Sequence, residues 1–252
     1  MTDLSINLNK IALIRNSRDT DYPSVTLHAA RCIAAGAHGI TVHPRPDQRH
    51  IRVSDCFELA EMLNVEFNIE GNPFAPAMKS TRKDVADYPG FMEIIRQIRP
   101  AQCTLVPDSD AQLTSDHGFD LHRDGERLKP IISELKDLGV RVSLFMDPEP
   151  EQIRLAKAIG ADRIELYTGP YAEAFGAKHQ DKVLQRFIDA SILAADIELG
   201  LNAGHDLNLH NLLLFKNSVS DLREVSIGHA FTVDAIEMGL DACIKAYLRC
   251  LR

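Results

Sequence analysis

The chain reads Gly39-Ile40-Thr41-Val42-His43, a short run of β-strand formers that ends in a histidine. Three further segments end on a histidine or a glutamate in the same way: Phe67-Asn68-Ile69-Glu70, Arg163-Ile164-Glu165 and Leu201-Asn202-Ala203-Gly204-His205. The strands of a parallel sheet are buried on both faces and prefer aliphatic residues, so a polar residue at a strand end brings no gain in packing. Four such ends predict one shared site at the carboxyl edge of a parallel sheet.

Strand-like and helix-like segments alternate eight times along the chain. Short apolar segments predict strands near 4–9, 39–45, 66–71, 102–107, 141–147, 163–169, 198–204 and 224–230. Apolar residues at helical spacing predict helices near 24–36, 54–63, 88–98, 123–138, 150–159, 181–195, 208–217 and 231–250. Eight such units in 252 residues predict an α/β fold, a (β/α)8 TIM barrel, with residues 1–252 forming a single domain.

The connections after predicted helices are shorter than those after predicted strands. Glycines end helices at Gly36, Gly139 and Gly160, and a strand-like segment follows each of them. The longer connections follow strands, at 44–53, 71–87, 107–122 and 169–180. Long loops after the strands are typical of the active face of a barrel. A doubly wound open sheet is the rival architecture, but no Gly-x-Gly-x-x-Gly motif follows the first strand to support a dinucleotide site.

The composition narrows the class of protein and its location. A net charge of −8 argues against a nucleic-acid-binding surface, which requires a positive field. The first residues lack the basic segment and apolar run of a signal peptide, and no apolar stretch has the length of a membrane span. The five cysteines are odd in number and contain no Cys-x-x-Cys pair, which is typical of reduced thiols. We therefore expect a cytoplasmic protein with neither nucleic-acid nor membrane partners.

The four polar strand ends could exchange protons with a ligand. An imidazole takes or gives a proton near neutral pH, as His43 and His205 could. A buried carboxylate must be paired, protonated or functional, and this applies to Glu70 and Glu165. The alternatives are a hydrogen-bonded structural histidine and an ion pair across the barrel. With two histidines and two carboxylates at one rim, we expect at least one of them to be a general base.

A metal site is the competing interpretation of the same histidines and glutamates. No two histidines share an element at a spacing suited to a metal, with a third ligand nearby. Arg18 and Arg45 would also repel a divalent ion. We therefore expect no metal at this site.

Glycines at the last two predicted strand ends predict phosphate binding. They lie in Asn202-Ala203-Gly204-His205 and in Ser226-Ile227-Gly228-His229-Ala230, where barrels commonly bind phosphate through backbone N–H groups. Glycine lets the backbone approach an oxyanion closely, although an ordinary turn would also use it. On the opposite side of the mouth, Arg18, Arg45 and His50 could bind a second anion. The loop that holds Arg45, Arg49 and Arg52 could equally be a solvated surface loop.

Six segments, in order along nearly the whole chain, resemble the pyridoxine 5′-phosphate synthase family. They are residues 5–18, Gly39-Ile40-Thr41-Val42-His43-Pro44-Arg45, Arg49-His50-Ile51, Leu105-Val106-Pro107, Asn202-Ala203-Gly204-His205 and Ile227-Gly228-His229-Ala230. A tripeptide such as Leu-Val-Pro is weak alone, whereas the ordered set is specific.

The resemblance implies the condensation of 1-deoxy-D-xylulose 5-phosphate with 3-amino-2-oxopropyl phosphate, giving pyridoxine 5′-phosphate, inorganic phosphate and water. It implies that no metal or cofactor takes part. His43 and Glu70 would be proton acceptors, and His205 would be a proton donor. Glu165 would stabilise charge in a transition state. Forming a pyridine ring requires several proton transfers next to carbonyl groups, which suits a site with several titratable groups.

The resemblance also implies two substrate-binding regions and a homo-octamer built as a tetramer of dimers. The amino ketone phosphate would be held by Asn7, Arg18, Asp206, Gly228 and His229. The sugar phosphate would be held by Asn9, Lys10, Arg45, His50 and Thr114. Two phosphate-binding regions would orient both substrates and reduce the entropic cost of a bimolecular reaction.

Three features depart from the commonest pattern of the family. Asn9-Lys10 stands where many members have an Asp-His pair, which removes a carboxylate and adds a cation near the sugar phosphate. Asp206 replaces a glycine after His205. The segment 72–90 is longer than a minimal connection between a strand and a helix.

Two other functions stay open at this point. An aldolase or isomerase acting on a sugar phosphate would use the same phosphate loops, and only Lys10 lies near a position suited to a Schiff base. A regulatory barrel that binds a phosphorylated ligand would bind tightly without turnover.

Overall fold

Eight parallel strands close into a barrel in the computed structural model, which describes residues 2–18, 20–109, 112 and 114–252. Each strand pairs with the next, and the eighth pairs with the first. The strands are β1 (Asp3–Asn7), β2 (Gly39–Val42), β3 (Glu66–Gly71), β4 (Gln102–Leu105), β5 (Arg141–Met146), β6 (Arg163–Leu166), β7 (Gly200–His205) and β8 (Leu222–Ile227). The prediction of a (β/α)8 barrel is confirmed.

Helices connect the strands and pack around the barrel. They are α1 (Asn9–Asn16), α2 (Val25–Ala34), α3 (Val53–Met62), α4 (Phe91–Ile98), α5 (Leu121–Asp137), α6 (Pro150–Ala158), α7 (Gly169–Ala174), α8 (Gln180–Asp196), α9 (Leu212–Ser218), α10 (His229–Met238) and α11 (Leu240–Cys250). Among the described residues, no helix combines the length and the apolar composition that a bilayer-spanning segment requires.

The connections from helices to strands are short, as predicted. Gly36, Gly139 and Gly160 have φ angles of 112°, 78° and 97°, a left-handed conformation that glycine adopts without steric cost. Each of them follows a helix within two residues of its end and lets the chain turn into the next strand.

Two short helices lie where the sequence predicts none, and one predicted helix is divided. The Asn7 side chain accepts a hydrogen bond from the Asn9 backbone N–H (3.0 Å), which turns the chain into α1 where the first strand was predicted to continue. The predicted loop 169–180 contains α7. A single helix over 231–250 is wrong, because Gly239 has a φ of 83° and separates α10 from α11.

The strands are apolar on one face only. Ser5 and Thr41 lie 2.7 Å apart through their hydroxyl groups, and the Thr104 hydroxyl donates to the Asn68 side chain (3.1 Å). The Asn202 amide donates across the barrel, from β7 to the Gln102 side chain on β4 (3.2 Å). The expectation of strands that are aliphatic on both faces is therefore wrong. These buried polar groups are tolerated inside the barrel because they satisfy one another's hydrogen bonds.

Charged side chains occupy the amino end of the barrel interior. Arg141 forms an ion pair with Glu66, and Arg163 lies 3.7 Å from the Glu224 carboxylate. Burial, followed by the nearby Glu66 and Glu165, raises the pKa of Glu224 well above its ordinary value. This charged layer lies at the end of the strands opposite to the residues predicted to form the site.

Candidate active site

A cavity of about 410 Å3 opens at the carboxyl end of the barrel. Its volume falls within the range typical of small-molecule sites. Thirteen of the fourteen predicted site residues line it: Asn7, Asn9, Lys10, His43, Arg45, His50, Glu70, Thr114, Glu165, His205, Asp206, Gly228 and His229. The barrel topology thus brings residues from seven different strand ends to one place, while their individual roles remain predictions.

Arg18 is the predicted site residue that does not line the cavity. It is exposed and follows the C-terminal end of α1, with its backbone N–H donating to the Arg15 carbonyl (3.3 Å). The structure therefore does not bring its guanidinium together with the other predicted phosphate ligands.

A chain of hydrogen bonds joins the ends of the first three strands. The Asn7 amide donates to the Glu70 carboxyl (3.3 Å), while its oxygen accepts from the Asn9 backbone. The Asn9 side chain in turn accepts from the backbone N–H of His43 (2.9 Å). Two asparagines thereby fix the relative positions of the Glu70 carboxyl and the His43 backbone.

Two buried carboxyl groups face the cavity. Burial, and then the charges of Asp108 and Glu224, raise the pKa of Glu70 to about 8. Burial, and then Glu70 itself, raise the pKa of Glu165 well above its ordinary value. One oxygen of Glu165 is buried without a hydrogen-bond partner among the described residues. Glu70 can therefore lose or gain a proton close to neutral pH, and Glu165 holds its proton there.

His43 and His50 are uncharged. Burial, and then Arg45, lower the pKa of His43 well below its ordinary value. Burial, followed by Arg45 and Lys10, lowers the pKa of His50 to about 3. The Nδ1 atom of His50 accepts from the Ile51 backbone N–H (2.9 Å), so its proton resides on Nε2. A neutral His43 is able to accept a proton, and a neutral His50 is able to donate a hydrogen bond to an anion.

Three cationic side chains line the same part of the cavity as His50. Arg45 forms an ion pair with buried Asp108 and donates to the Gln112 carbonyl (2.8 Å). Arg49 donates to the same carbonyl (3.0 Å). The side chain of Lys10 has no hydrogen bond or ion pair with any described residue. Its ammonium is therefore available to an anionic ligand.

His205 lies between two polar side chains at the end of β7. Its Nδ1 lies 2.7 Å from the Asp206 carboxylate, and its Nε2 lies 3.0 Å from the Thr114 hydroxyl. The ring packs edge-on against Tyr167, with 5.6 Å between the ring centroids. The structure thus orients the imidazole before any ligand binds.

The two strand-end glycines have different roles. A Cβ atom on Gly204 would lie 2.2 Å from the Ser226 carbonyl oxygen, so this glycine is required for the close approach of β7 to β8. Gly204 is not among the residues that line the cavity, and a ligand contact there stays a prediction. Gly228 does line it and precedes α10, whose first-turn N–H groups suit an anion.

A buried ion pair outside the cavity supports the loop that carries His50. The Arg15 guanidinium, on α1, donates to the Asp55 carboxylate on α3 (2.9 Å) and to the His50 carbonyl (3.1 Å). The neighbouring Asn16 amide donates to the same carbonyl (2.6 Å) and to those of Gln48 and Arg49 (3.2 and 3.1 Å). These bonds hold the loop in one conformation.

Sequence reasoning missed the residues that support the site from a distance and several that line it. The lining residues are Leu13, Arg49, Val106, Ser115, Phe145 and Ser226. Arg49 belongs to the arginine-rich loop already noted, so its charge was a usable signal. Asp108 and Asp55 carry no local signal, because their partners lie 63 and 40 residues away along the chain.

Solved structures of other barrels share this architecture. The tryptophan synthase of Mycobacterium tuberculosis matches with a TM-score of 0.65 at 10% identity, covering 100% of this chain and 93% of that one. The N-(5′-phosphoribosyl)anthranilate isomerase of Pyrococcus furiosus matches with a TM-score of 0.56 at 15% identity, covering 100% and 98%. At such identities the likeness shows the fold alone.

Closer similarity is found at the level of sequence. The model of the pyridoxal phosphate biosynthesis protein PdxJ family matches residues 4–252. The chain is 56% identical over 250 residues to pyridoxine 5′-phosphate synthase of Xanthomonas campestris pv. campestris (strain B100), covering 98% of this chain and 95% of that protein. It is 52% identical over 250 residues to the synthase of Xylella fastidiosa (strain M23), covering 98% and 94%. The chain therefore belongs to the PdxJ family, whose members include these pyridoxine 5′-phosphate synthases.

Proposed function

We propose that the cavity condenses 1-deoxy-D-xylulose 5-phosphate with 3-amino-2-oxopropyl phosphate, giving pyridoxine 5′-phosphate, inorganic phosphate and water in vitamin B6 biosynthesis. One observation carries the proposal: in a member of this family, a single cavity holds cationic side chains together with groups that can transfer protons. These groups are the neutral imidazole of His43 and the carboxyl groups of Glu70 and Glu165, both of which have raised pKa values.

The proton transfers are assigned by the protonation state of each group. The amine of one substrate attacks the ketone of the other, and loss of water forms the carbon–nitrogen double bond. Neutral His43 accepts a proton in these steps, and Glu70, with its pKa of about 8, alternates between acceptor and donor. Glu165, which holds its proton in the free protein, is assigned to stabilise charge in a transition state, and His205 donates a proton to a leaving oxygen.

The two phosphate groups are assigned to opposite sides of the cavity. The sugar phosphate lies against Lys10, Arg45 and His50, where cations and a neutral imidazole donor come together. The amino ketone phosphate lies at Gly228 and His229, at the N-terminus of α10. Holding both phosphates fixes the reacting amine and ketone side by side.

Purified protein mixed with both substrates should form pyridoxine 5′-phosphate, and an excess of EDTA should leave the rate unchanged. Lys10, Arg45 and Arg49 surround the anion region with positive charge, and the described residues contain no group of three metal ligands. Product is followed by its absorbance and identified by mass. Absence of product would refute the synthase, and a rate lost to EDTA and restored by one divalent ion would refute the metal-independent mechanism.

Replacing Lys10 with methionine should raise the KM for the sugar phosphate about tenfold or more and leave that for the amino ketone phosphate nearly unchanged. A hydrogen bond to a charged group contributes about 1.5–3 kcal/mol, and the two phosphates bind on different sides of the cavity. Lys129→Met, on the exposed face of α5, is the matched control. Unchanged Michaelis constants and turnover would leave Lys10 without a role in binding.

The same lysine separates the synthase from a Schiff-base aldolase. Treatment with borohydride in the presence of the sugar phosphate should add no substrate mass to a peptide containing Lys10, because the synthase uses its ammonium as a charge. A modified Lys10 peptide would instead favour the aldolase.

We also propose a homo-octamer built from dimers and a cytoplasmic location. Apolar side chains are exposed on two helices that pack together: Leu13 and Ile14 on α1, and Val233 and Ile236 on α10. Such a patch is typical of a contact surface between subunits. The free thiols, four of them buried, suit a reducing compartment. Light scattering of the purified protein measures the mass of the assembly.

A further inference from the structure

The side chain of Asp206 makes a contact that a glycine at this position could not make. Its carboxylate oxygen lies 2.7 Å from Nδ1 of His205, and both side chains line the cavity. Although burial alone would raise the pKa of Asp206, the hydrogen bond from His205 and the charges of His205 and His229 keep that pKa below its ordinary value. Asp206 is therefore ionised at neutral pH and can only accept a hydrogen bond.

This contact determines which nitrogen of His205 holds the proton. Since the carboxylate cannot donate, Nδ1 must carry a hydrogen in both the neutral and the charged imidazole. In the neutral ring, Nε2 is then unprotonated and accepts from the Thr114 hydroxyl 3.0 Å away. A histidine side chain in water prefers the opposite tautomer, with the proton on Nε2.

The pair is held in place by its surroundings. The Asp206 backbone carbonyl accepts from the side chains of Asn211 (3.3 Å) and Asn208 (3.5 Å). The His205 ring packs against Tyr167 and Phe145, with centroid distances of 5.6 and 6.2 Å. The other titratable groups acting on the two side chains are His43, Asp108, Tyr167 and His229.

We propose that Asp206 is the positioning residue of His205 and holds the proton of its neutral imidazole on Nδ1. Nε2 is thereby left free to take a proton from the substrate side of the cavity and to return it. When Nε2 is protonated, the carboxylate balances the imidazolium charge without moving. The consequence for catalysis rests on the proposed function, whereas the tautomer is a property of the free protein.

The tautomer is measured by the nitrogen chemical shifts of 15N-histidine-labelled protein at a pH where His205 is neutral. His205→Asn identifies the signals by their loss. In the unmodified protein, Nδ1 should show the shift of a protonated nitrogen and Nε2 that of an unprotonated one. Asp206→Gly should move the proton to Nε2, whereas Asp206→Asn, which keeps an acceptor oxygen, should retain it on Nδ1. A proton on Nε2 in the unmodified protein would overturn the proposal.

Turnover tests the consequence of this tautomer separately. Asp206→Gly should lower kcat about tenfold or more with little change in KM, and Asp206→Asn should lose less. Asp221→Asn, which removes an exposed carboxylate paired with Arg223 at the other end of the barrel, should match the unmodified enzyme. Unchanged kcat in Asp206→Gly would refute the positioning role. An unmodified protein that forms no product would refute the synthase while leaving the measured tautomer intact.

Discussion

Replacing Glu70 with glutamine should lower turnover about a hundredfold or more and should make the protein more stable at pH 8 and above. The amide keeps the shape of the carboxyl group and can still accept from Asn7, but it cannot exchange a proton. Turnover is measured with both substrates saturating. Near-normal turnover would transfer the general-base role to His43 or Glu165.

The gain in stability follows from the raised pKa of Glu70. The ordinary pKa of 4.5 applies to the unfolded chain, and burial raises the pKa to about 8 in the folded protein. Between these values the folded protein binds a proton that the unfolded chain has released, so the stability of the unmodified protein falls as pH rises from about 4.5 to 8. Each unit of pKa difference corresponds to about 1.4 kcal/mol. Glutamine removes this dependence.

Urea unfolding at pH 5, 7, 8, 9 and 10 measures this effect. The difference in unfolding free energy between Glu70→Gln and the unmodified protein should grow from pH 5 to pH 8 and then stay level. Glu134→Gln, which changes an exposed carboxylate, should show no such growth. A difference independent of pH would mean that Glu70 is ionised in the folded protein at pH 5.

Replacing Asp55 with asparagine should lower the free energy of unfolding by about 3–5 kcal/mol, because it leaves the buried Arg15 guanidinium without its anion. Arg15 is 5% exposed and Asp55 is 3% exposed, so water cannot substitute for the lost charge. The KM for the sugar phosphate should also rise, because Arg15 donates to the carbonyl of His50. Thermal and urea unfolding measure the first effect, and steady-state kinetics measure the second.

An exposed ion pair provides the matched comparison. Glu134→Gln breaks the pair with Arg96, whose side chains are 39% and 46% exposed, and should cost at most about 1 kcal/mol. Adding Arg15→Met to Asp55→Asn should recover part of the lost stability, because it removes the unpaired buried charge. Equal losses for Asp55→Asn and Glu134→Gln would contradict the importance assigned to this pair.

The sequence predicts the barrel because its alternation of strands and helices is a local property repeated eight times. Helix α1 was missed for a local reason of another kind: it begins where the Asn7 side chain turns the chain, and a single hydrogen bond leaves no periodic signal. The polar barrel interior was missed because residues such as Asn202 and Gln102 are partners across 100 positions. Only the closed barrel reveals that their side chains satisfy each other.

The candidate site was predictable where its residues stand at strand ends. His43, Glu70, Glu165 and His205 disturb otherwise apolar segments, and the parallel topology brings such ends together. The protonation states were not predictable, because burial decides them. Neither was the contact of Asp206 with His205, since a side-chain direction at the end of a strand depends on how the following loop is anchored.

The hydrogen bonds of Asn7 and Asn9 bear on how this protein can be recombined with its relatives. Asn7, at the end of β1, contacts the Glu70 side chain on β3. Asn9, two residues further along, contacts the backbone of His43, which follows β2. A chimera that takes the segment after β1 from a relative with Asp-His in place of Asn9-Lys10 keeps an oxygen that can accept from His43, but it adds a negative charge at the contact with β2. The smallest module that can be exchanged intact comprises the first three strand ends together.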